Sequence, residues 1–484
     1  MESGDVTNDY SEIVQRLPLK LRLAYGVGHV LNDICASMWF TYLLVFFHLV
    51  LQFDSSLSGV ILLVGQVADA VATPFVGLES DKIDEFWLCK YGRRKTWHLV
   101  GTVCVLVSFP LIFSPCINCE NSHHWAQLVY YSAFVIIFQF GWAAVQISHL
   151  SLIPDLTPNE HERIGLTAIR YTFTVISNVL VYVITWAVLH VTTESDAQVG
   201  PDDVKKFQNV VFIGIGIGTV TSLIFHLTVN ERPYSHAVGS TPGMKKTAGH
   251  LMKDIQLYQV AAVYMATRLF VNLSQVYIPL YLHESLGMGA ESLAVIPLVM
   301  FISSFVMSLT IKILNKKFGR KVTYVLGALL GITACIWVKF GSGDNFSTYE
   351  IYAVAVLLGA GGSLMLVTSL GITADLIGPN TESGAFVYGA MSFTDKLSNG
   401  IAVTVIQDLK CLTVCPGYFR NVITYVCGGS AVFGLIALAT LTPFHIGQRK
   451  KDDAYSRLNT ETDFPHDGAG TNIQEEFRSP AIVS

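Results

Sequence analysis

The chain of 484 residues is 51% hydrophobic, only 14% charged, and has a formal net charge of −5. Soluble proteins of average usage carry about 25% charge, so too few charges exist to coat several soluble domains. That argues against a nucleic-acid binder or a soluble secreted enzyme and points to an all-α polytopic membrane protein.

Residues 1–21 are polar and lack the basic start and short apolar core of a signal peptide, so they read as a cytosolic N-terminal segment. A membrane span needs about 20 mostly apolar residues. Twelve stretches qualify, near 22–50, 57–79, 97–115, 126–153, 165–190, 209–229, 257–283, 291–312, 322–340, 350–374, 384–406 and 421–443. An even number puts both termini on one side. On this layout 23 of the 31 Lys+Arg fall at the termini and in the loops after even-numbered spans, and five fall in the opposite loops. The positive-inside rule then predicts cytosolic termini.

The opposite loops carry their own marks. Asn345-Phe346-Ser347 is a glycosylation acceptor between spans nine and ten. Asn272-Leu273-Ser274 fits the same pattern but lies inside span seven. Cys116-x-x-Cys119 and Cys411-x-x-x-Cys415 fall where disulfides persist, with zinc binding as the rival reading. The remaining cysteines read as small span residues.

The chain repeats itself. Lys90-Tyr91-Gly92-Arg93-Arg94-Lys95 recurs as Lys317-Phe318-Gly319-Arg320-Lys321, and Asp155-Leu156-x-Pro158-Asn159-Glu160 recurs loosely as Asp375-Leu376-x-x-Pro379-Asn380-x-Glu382. Both pairs sit at equivalent places in a six-span unit. Two parallel six-helix bundles are expected, 22–230 and 255–443, joined by a cytosolic linker 231–254 and followed by a polar, disordered cytosolic tail 444–484. This is the layout of the major facilitator fold, with substrate near the midplane between the halves.

Gly77-x-x-x-Asp81-Lys82 followed by Gly92-Arg93-Arg94-Lys95 resembles the signature loop of that superfamily. The resemblance implies a latch in which an acid at a helix end pairs with arginines in one state only. The second copy lacks the acid, which predicts that gating lies mainly in the first. Plain cytosolic anchoring explains the bases but not Gly77 and Asp81.

Charges at a helix centre cost roughly 2.5–3.5 kcal/mol on insertion scales, so those kept there are functional candidates. Three bases lie inside spans: Arg170, Arg268 and Lys396. Asp33, Asp69 and Asp395 are the matching acids, and span four adds Gln139, Gln146 and His149. An acid facing bases suits a zwitterion, with Asp33 for an ammonium and arginine for a carboxylate. The alternative is permanent pairing within the protein. Asp395 and Lys396 point about 100° apart on a helix and cannot easily pair with each other. His29 and His149 could relay protons or serve as neutral hydrogen-bonding groups, and His48, His226 and His283 read as interfacial.

Span two, Asp69-Ala70-x-x-Thr73-Pro74-x-x-Gly77-x-x-x-Asp81, resembles the glycoside–pentoside–hexuronide:cation symporter branch, with Thr73 where that branch has a second acid. The resemblance implies a coupling-cation site at Asp69 and Thr73. Losing one carboxylate favours a proton over sodium, and a purely structural Asp69 stays open. The same branch implies substrate contacts at Asp33, Gln146 and Arg170. His149, Arg268 and Lys396 complete the expected binding set.

Longer runs carry a more specific likeness. Gly28-His29-x-x-Asn32-Asp33-x-Cys35-Ala36-Ser37-Met38-Trp39-Phe40-Thr41-Tyr42, Gln146-Ile147-Ser148-His149-Leu150-Ser151-Leu152-Ile153-Pro154 and Gly384-Ala385-Phe386-Val387-Tyr388-Gly389 resemble the animal lysosomal and melanosomal cysteine transporters of the major facilitator superfamily. That likeness implies cysteine entry into the organelle by alternating access. A cation-coupled sugar or lysolipid symporter and a non-transporting membrane scaffold are the competing readings. Tyr455-Ser456-Arg457-Leu458 fits the tyrosine signal read by endosomal sorting adaptors. No nucleophile–base or metal-ligand spacing stands out, so neither an enzyme nor a metal or organic cofactor is expected. The expected partners are the small solute, protons and membrane lipid.

Overall fold

A computed structural model describes residues 17–81, 91–119, 122–157, 160–192, 197–231, 255–377, 384–410 and 417–441. Asp81's side chain, Cys411, Cys415, Tyr455 and Leu458 lie outside the described residues, as do the 232–254 linker and the tail. The long helices are α1 (Leu19–Val50), α2 (Ser55–Asp81), α3 (Arg93–Ile112), α4 (His124–Leu156), α5 (Glu160–Thr192) and α6 (Val204–Thr228). The second set is α7 (Ile255–Leu280), α8 (Ser292–Phe318), α9 (Arg320–Phe340), α10 (Ile351–Ile377), α11 (Gly384–Asp408) and α12 (Tyr418–Thr440).

Ten helices among the described residues are long and apolar enough to cross a membrane. The two long helices outside that set are α7 and α11. Their apolarity is diluted by Arg268, Asn272 and Gln275 on α7 and by Asp395, Lys396 and Asn399 on α11. Two helices thus give up hydropathy to carry polar groups into the bundle, where such groups need partners.

The two sets of six pack alike. In each, the third helix lies on the fourth, the second on the fourth, and the first on the sixth. The third–fourth crossing is made by glycine both times. A Cβ on Gly101 of α3 would stand 2.6 Å from the Gly141 carbonyl of α4, and one on Gly361 of α10 would stand 2.7 Å from the Gly327 carbonyl of α9. Backbone cannot yield at such a distance, so both crossings require the missing side chains.

The basic loops are equivalent in three dimensions too. Gly92 and Gly319 take positive φ, 120° and 80°, at the N-termini of α3 and α9. Arg94 pairs with Asp155 at 2.8 Å, and Arg320 pairs with Asp375 at 2.8 Å. The second copy therefore keeps an ion pair of its own despite lacking the signature acid. At the start of α3, Glu231 accepts from the amides of Arg94 and Lys95 at 2.9 and 3.2 Å, placing a carboxylate at the positive helix end.

The seams between the sets are α2 with α11, α5 with α8, and α1 with α7. The end opposite the termini is bonded across these seams. Ser56 donates to Asp408 at 3.1 Å, Thr404 to the Gly59 carbonyl at 3.1 Å, and the Ala290 amide to the Ala197 carbonyl at 3.1 Å. Asn345 is exposed at this same end, and Cys116 is joined there to Cys119. Asn272 is buried within α7.

The strongest lock at this end was not expected. His48 Nε2 lies 2.8 Å from Glu284 Oε1, Lys410 donates to the same oxygen at 2.9 Å, and Lys410 also meets His48. His48 is thus a bridging group rather than an interfacial one. Burial opposes ionisation of Glu284, but the bonds from His48 and Lys410 outweigh it and hold the carboxyl below its usual range. A depressed carboxylate stabilises the closed end above its ordinary pKa near ~4.3 and loses that contribution only as pH falls through the lower folded value. A Ser56→Cys/Asp408→Cys pair should therefore cross-link across the closed end at pH 7, where thiolate is available. Glu284→Gln should slow that cross-linking at the same pH.

Candidate functional site

Helix α1 is broken at Gly28–His29. A Cβ on Gly28 would stand 2.5 Å from the Phe225 ring of α6, so only glycine fits. The break leaves two carbonyls for side chains to take. His149 Nε2 lies 2.7 Å from the Tyr25 carbonyl and stacks on the Tyr25 ring, and His98 Nε2 lies 3.1 Å from the Gly28 carbonyl.

Just past the break stands the first polar set. Asp33 Oδ1 is 3.0 Å from His29 Nδ1, and Asp33 Oδ2 accepts from Thr174 of α5 at 2.9 Å. His29 Nε2 is 3.0 Å from an Arg170 terminal nitrogen. Arginine only donates, so Nε2 accepts and the ring keeps its proton on Nδ1, the nitrogen facing Asp33. Arg170 Nε is buried with no hydrogen-bond partner among the described residues. Gln146 is half-buried on α4, one turn from His149, which is fully buried.

The second set lies on α7 and α11. Arg268 Nε donates to Asp395 Oδ2 at 2.7 Å, and Asn399 donates to Asp395 Oδ1 at 2.7 Å. Asp33 and Arg268 are each paired within their own set. Helix α1 meets α7 through Gln275, which donates to Thr41 at 3.1 Å.

The third set bridges the seam. Lys396 Nζ is 2.6 Å from Asp69 Oδ2 and 3.0 Å from Thr73 Oγ1, while Thr73 donates to Asp69 Oδ1 at 3.0 Å. The ammonium of α11 thus sits on the two α2 oxygen groups assigned to a coupling cation. Asp395 and Lys396 do find different partners, as their helical spacing requires.

A cavity of about 130 Å³ opens between α5 of the first set and α7, α8 and α10 of the second. Tyr171, Tyr182, Ser274, Gln275 and Ser363 supply its polar atoms, and Pro297, Met300 and Phe301 its apolar wall. Its first-set wall is the helix that carries Arg170 and Thr174. Of the latch residues, Gly77 faces open space, and Gly92 and Arg94 hold the α3 loop described above. Arg93 opens α3 beside them.

Comparison with known proteins agrees with this architecture. Residues 24–442 match the family model described as MFS/sugar transport protein. The chain belongs to that family. It is a secondary transporter of the major facilitator superfamily, symporter-like in its branch. It is 46% identical to major facilitator superfamily domain-containing protein 12 of Mus musculus over 462 residues, covering 90% of this chain and 96% of that protein. The Homo sapiens protein of the same name is 47% identical, covering 88% and 93%. Among solved structures, a D-xylose-proton symporter superposes with a TM-score of 0.66 at 14% identity, covering 88% of this chain and 98% of that one, which speaks to fold.

Thr174, Asn399 and Gln275 belong to these polar sets although the sequence reading did not single them out, while His29 and Asp395 were candidates there without assigned partners. Thr174 and Asn399 were legible: each lies four residues after a charged residue, Arg170 or Asp395, and shares its face. Gln275 depends on a helix crossing that no local pattern encodes.

Proposed function

We propose that this major facilitator protein carries cysteine from the cytosol into lysosomes and melanosomes by alternating access, with both termini cytosolic. The observation that carries the charge class of the substrate is the buried Arg170 Nε donor, without a hydrogen-bond partner among the described residues, on a guanidinium that bonds the His29 ring lying against Asp33. Asp33 receives the substrate ammonium and Arg170 its carboxylate, an arrangement that fits an amino acid better than a neutral sugar. Arg268 is engaged by Asp395 and Asn399 and orients α7 against α11. The cavity of about 130 Å³ is reached along α5 from Arg170 through the neighbouring Tyr171, and neither Asp33 nor Arg170 lines it. Cysteine itself, the organelle and the role of sorting adaptors rest on the resemblance set out in the sequence.

Coupling in this reading is to protons. Lys396 supplies an internal cation at Asp69 and Thr73, so uptake has no need of sodium. Gln146, His149 and the Arg93–Arg94 loop support the site and its closure at the cytosolic end.

Competition assays test the charge class. Cysteamine, which lacks the carboxylate, and 3-mercaptopropionate, which lacks the ammonium, are each expected to compete at least about tenfold less well than cysteine. Xylose and lysophosphatidylcholine are expected not to compete. Competition by either truncated thiol equal to that of cysteine, or strong competition by the sugar or lipid, would overturn the zwitterion assignment. A bacterial relative named isoprimeverose transporter and an animal relative named sodium-dependent lysophosphatidylcholine symporter 1 give those two alternatives their place.

A further inference from the structure

Four buried histidines form a line through the first set of helices, from the termini-bearing rim to Asp33. Tyr91 at the rim brings its hydroxyl within 3.0 Å of His226 Nδ1 on α6. His226 Nε2 lies 3.0 Å from His98 Nδ1 on α3, and His98 Nε2 lies 3.1 Å from the Gly28 carbonyl. A carbonyl only accepts, so His98 carries its proton on Nε2 and accepts at Nδ1 from His226. His226, neutral, then has Nδ1 as its acceptor, and the one Tyr91 hydroxyl proton is shared between that nitrogen and the His226 carbonyl 3.1 Å away. The His226–His98 and His98–Gly28 bonds run in one direction.

The line continues inward. The His149 ring centroid is 6.0 Å from that of His98 and 5.6 Å from that of His29. His149 gives its Nε2 proton to the Tyr25 carbonyl, which leaves Nδ1 as the acceptor, and that atom is buried with no partner. His29 then faces Asp33 at 3.0 Å. Other polar and charged groups border the line. Lys95 donates to the His226 carbonyl at 3.1 Å and stands 4.1 Å over the Tyr91 ring. Glu231 caps α3 beside it, Thr102 and Ser222 flank His98 and His226, and Arg170 touches His29.

We infer that this line is a proton pathway joining solution at the termini-bearing end to Asp33, an inference that rests on the proton-coupled reading above. A proton taken up at His226 Nδ1 is balanced by transfer of the Nε2 proton to His98 Nδ1. His98 passes its Nε2 proton to His149 Nδ1, and His149 passes its own to His29 Nε2. Arrival there displaces the Arg170 hydrogen bond, and His29 delivers its Nδ1 proton to the Asp33 carboxylate. One proton enters, one is bound, and each ring ends neutral with its tautomer inverted; the bound proton and the substrate ammonium thus occupy the Asp33 carboxylate in turn, not together. The transferable protons of His98 and His149 are tied to carbonyls at the break in α1, so passage needs that break to move. Because α1, α3, α4 and α6 belong to one set, rocking of the two sets leaves the line connected to the same side.

The test uses the full chain in liposomes, with radiolabelled cysteine and an internal pH dye. His226→Gln and His98→Gln are expected to lose pH-gradient-driven accumulation by at least about tenfold, and for His226→Gln, which leaves the α1 break untouched, cysteine exchange at equal pH stays within about twofold. Tyr91→Phe, a milder change at the rim, is expected to slow dye-detected proton movement without altering exchange. Unchanged gradient-driven accumulation in both histidine variants overturns the pathway, as does equal loss of accumulation and exchange in His226→Gln. Nitrogen-15 spectra of labelled histidine judge the line without any substrate. His98 and His226 are expected to titrate as a coupled pair, with His226→Gln shifting the His98 transition. Independent titration overturns the pathway even if cysteine transport stands, and coupled titration without cysteine uptake sinks the substrate reading instead.

Discussion

Asp69→Asn and Lys396→Met should each destabilise the protein by about 3–5 kcal/mol, because each leaves a buried charge without its partner. The two groups lie 2.6 Å apart across the α2–α11 seam, with Asp69 buried and Thr73 bonded to both. The double variant Asp69→Asn/Lys396→Met removes both charges and should recover most of that loss, because neutralising a buried pair is far milder than breaking it. Thermal unfolding of the three variants in detergent measures this directly. Additive losses in the double variant would show that the pair is not coupled. Transport should respond differently from stability. The bond holds the two sets together at mid-depth, so the stable double variant is expected to exchange substrate yet accumulate it poorly. Replacing sodium by a bulky organic cation should leave wild-type uptake unchanged.

Arg170 and Arg268 should part company on mutation. Arg170→Gln removes a donor whose Nε has no partner among the described residues, so its expected cost falls on substrate binding. A lost charge-assisted bond of about 1.5–3 kcal/mol corresponds to a rise in KM of roughly 10- to 150-fold. Thermal stability should change little by comparison. Arg268→Gln instead strands Asp395, which is buried and whose carboxylate has Asn399 as its other hydrogen-bond partner among the described residues. The expected result is a stability loss of about 3–5 kcal/mol, restored by adding Asp395→Asn. Uptake kinetics and unfolding temperatures measured on the same preparations separate the two arginines. A KM effect from Arg268→Gln/Asp395→Asn equal to that of Arg170→Gln would return Arg268 to the substrate.

Much of the fold was legible because the membrane imposes simple rules. Length and apolarity gave twelve spans, and the recurring basic loops gave the repeat. The structure adds the matched Gly101–Gly141 and Gly327–Gly361 crossings, whose close approach is invisible in one helix at a time. Charge placement gave Asp33, Asp69, Arg170, Arg268, Asp395 and Lys396 as groups that must matter, since each is costly in a span. Their partners were not legible. Local geometry shows that Asp395 and Lys396 diverge, but only the packing of α11 against both α2 and α7 decides that one meets Arg268 and the other Asp69.

Histidine was the weakest signal. His226 lies near a helix end and reads as interfacial, yet it is buried and bonded to His98 from another helix. His98 itself sits in the apolar run Trp97-His98-Leu99-Val100, so the rule that singled out the intramembrane acids would have found it. The break in α1 has a local cause in Gly28, but the side chains that secure it come from α3 and α4. Long-range bonds of this kind carry most of the site.

The most direct test is radiolabelled cysteine uptake into liposomes holding the purified full chain, wild type beside Asp33→Asn. The account predicts saturable uptake by the wild type and a loss of at least about tenfold in the variant, with protein amount and unfolding temperature nearly unchanged. Uptake that is equal in the two proteins would contradict it.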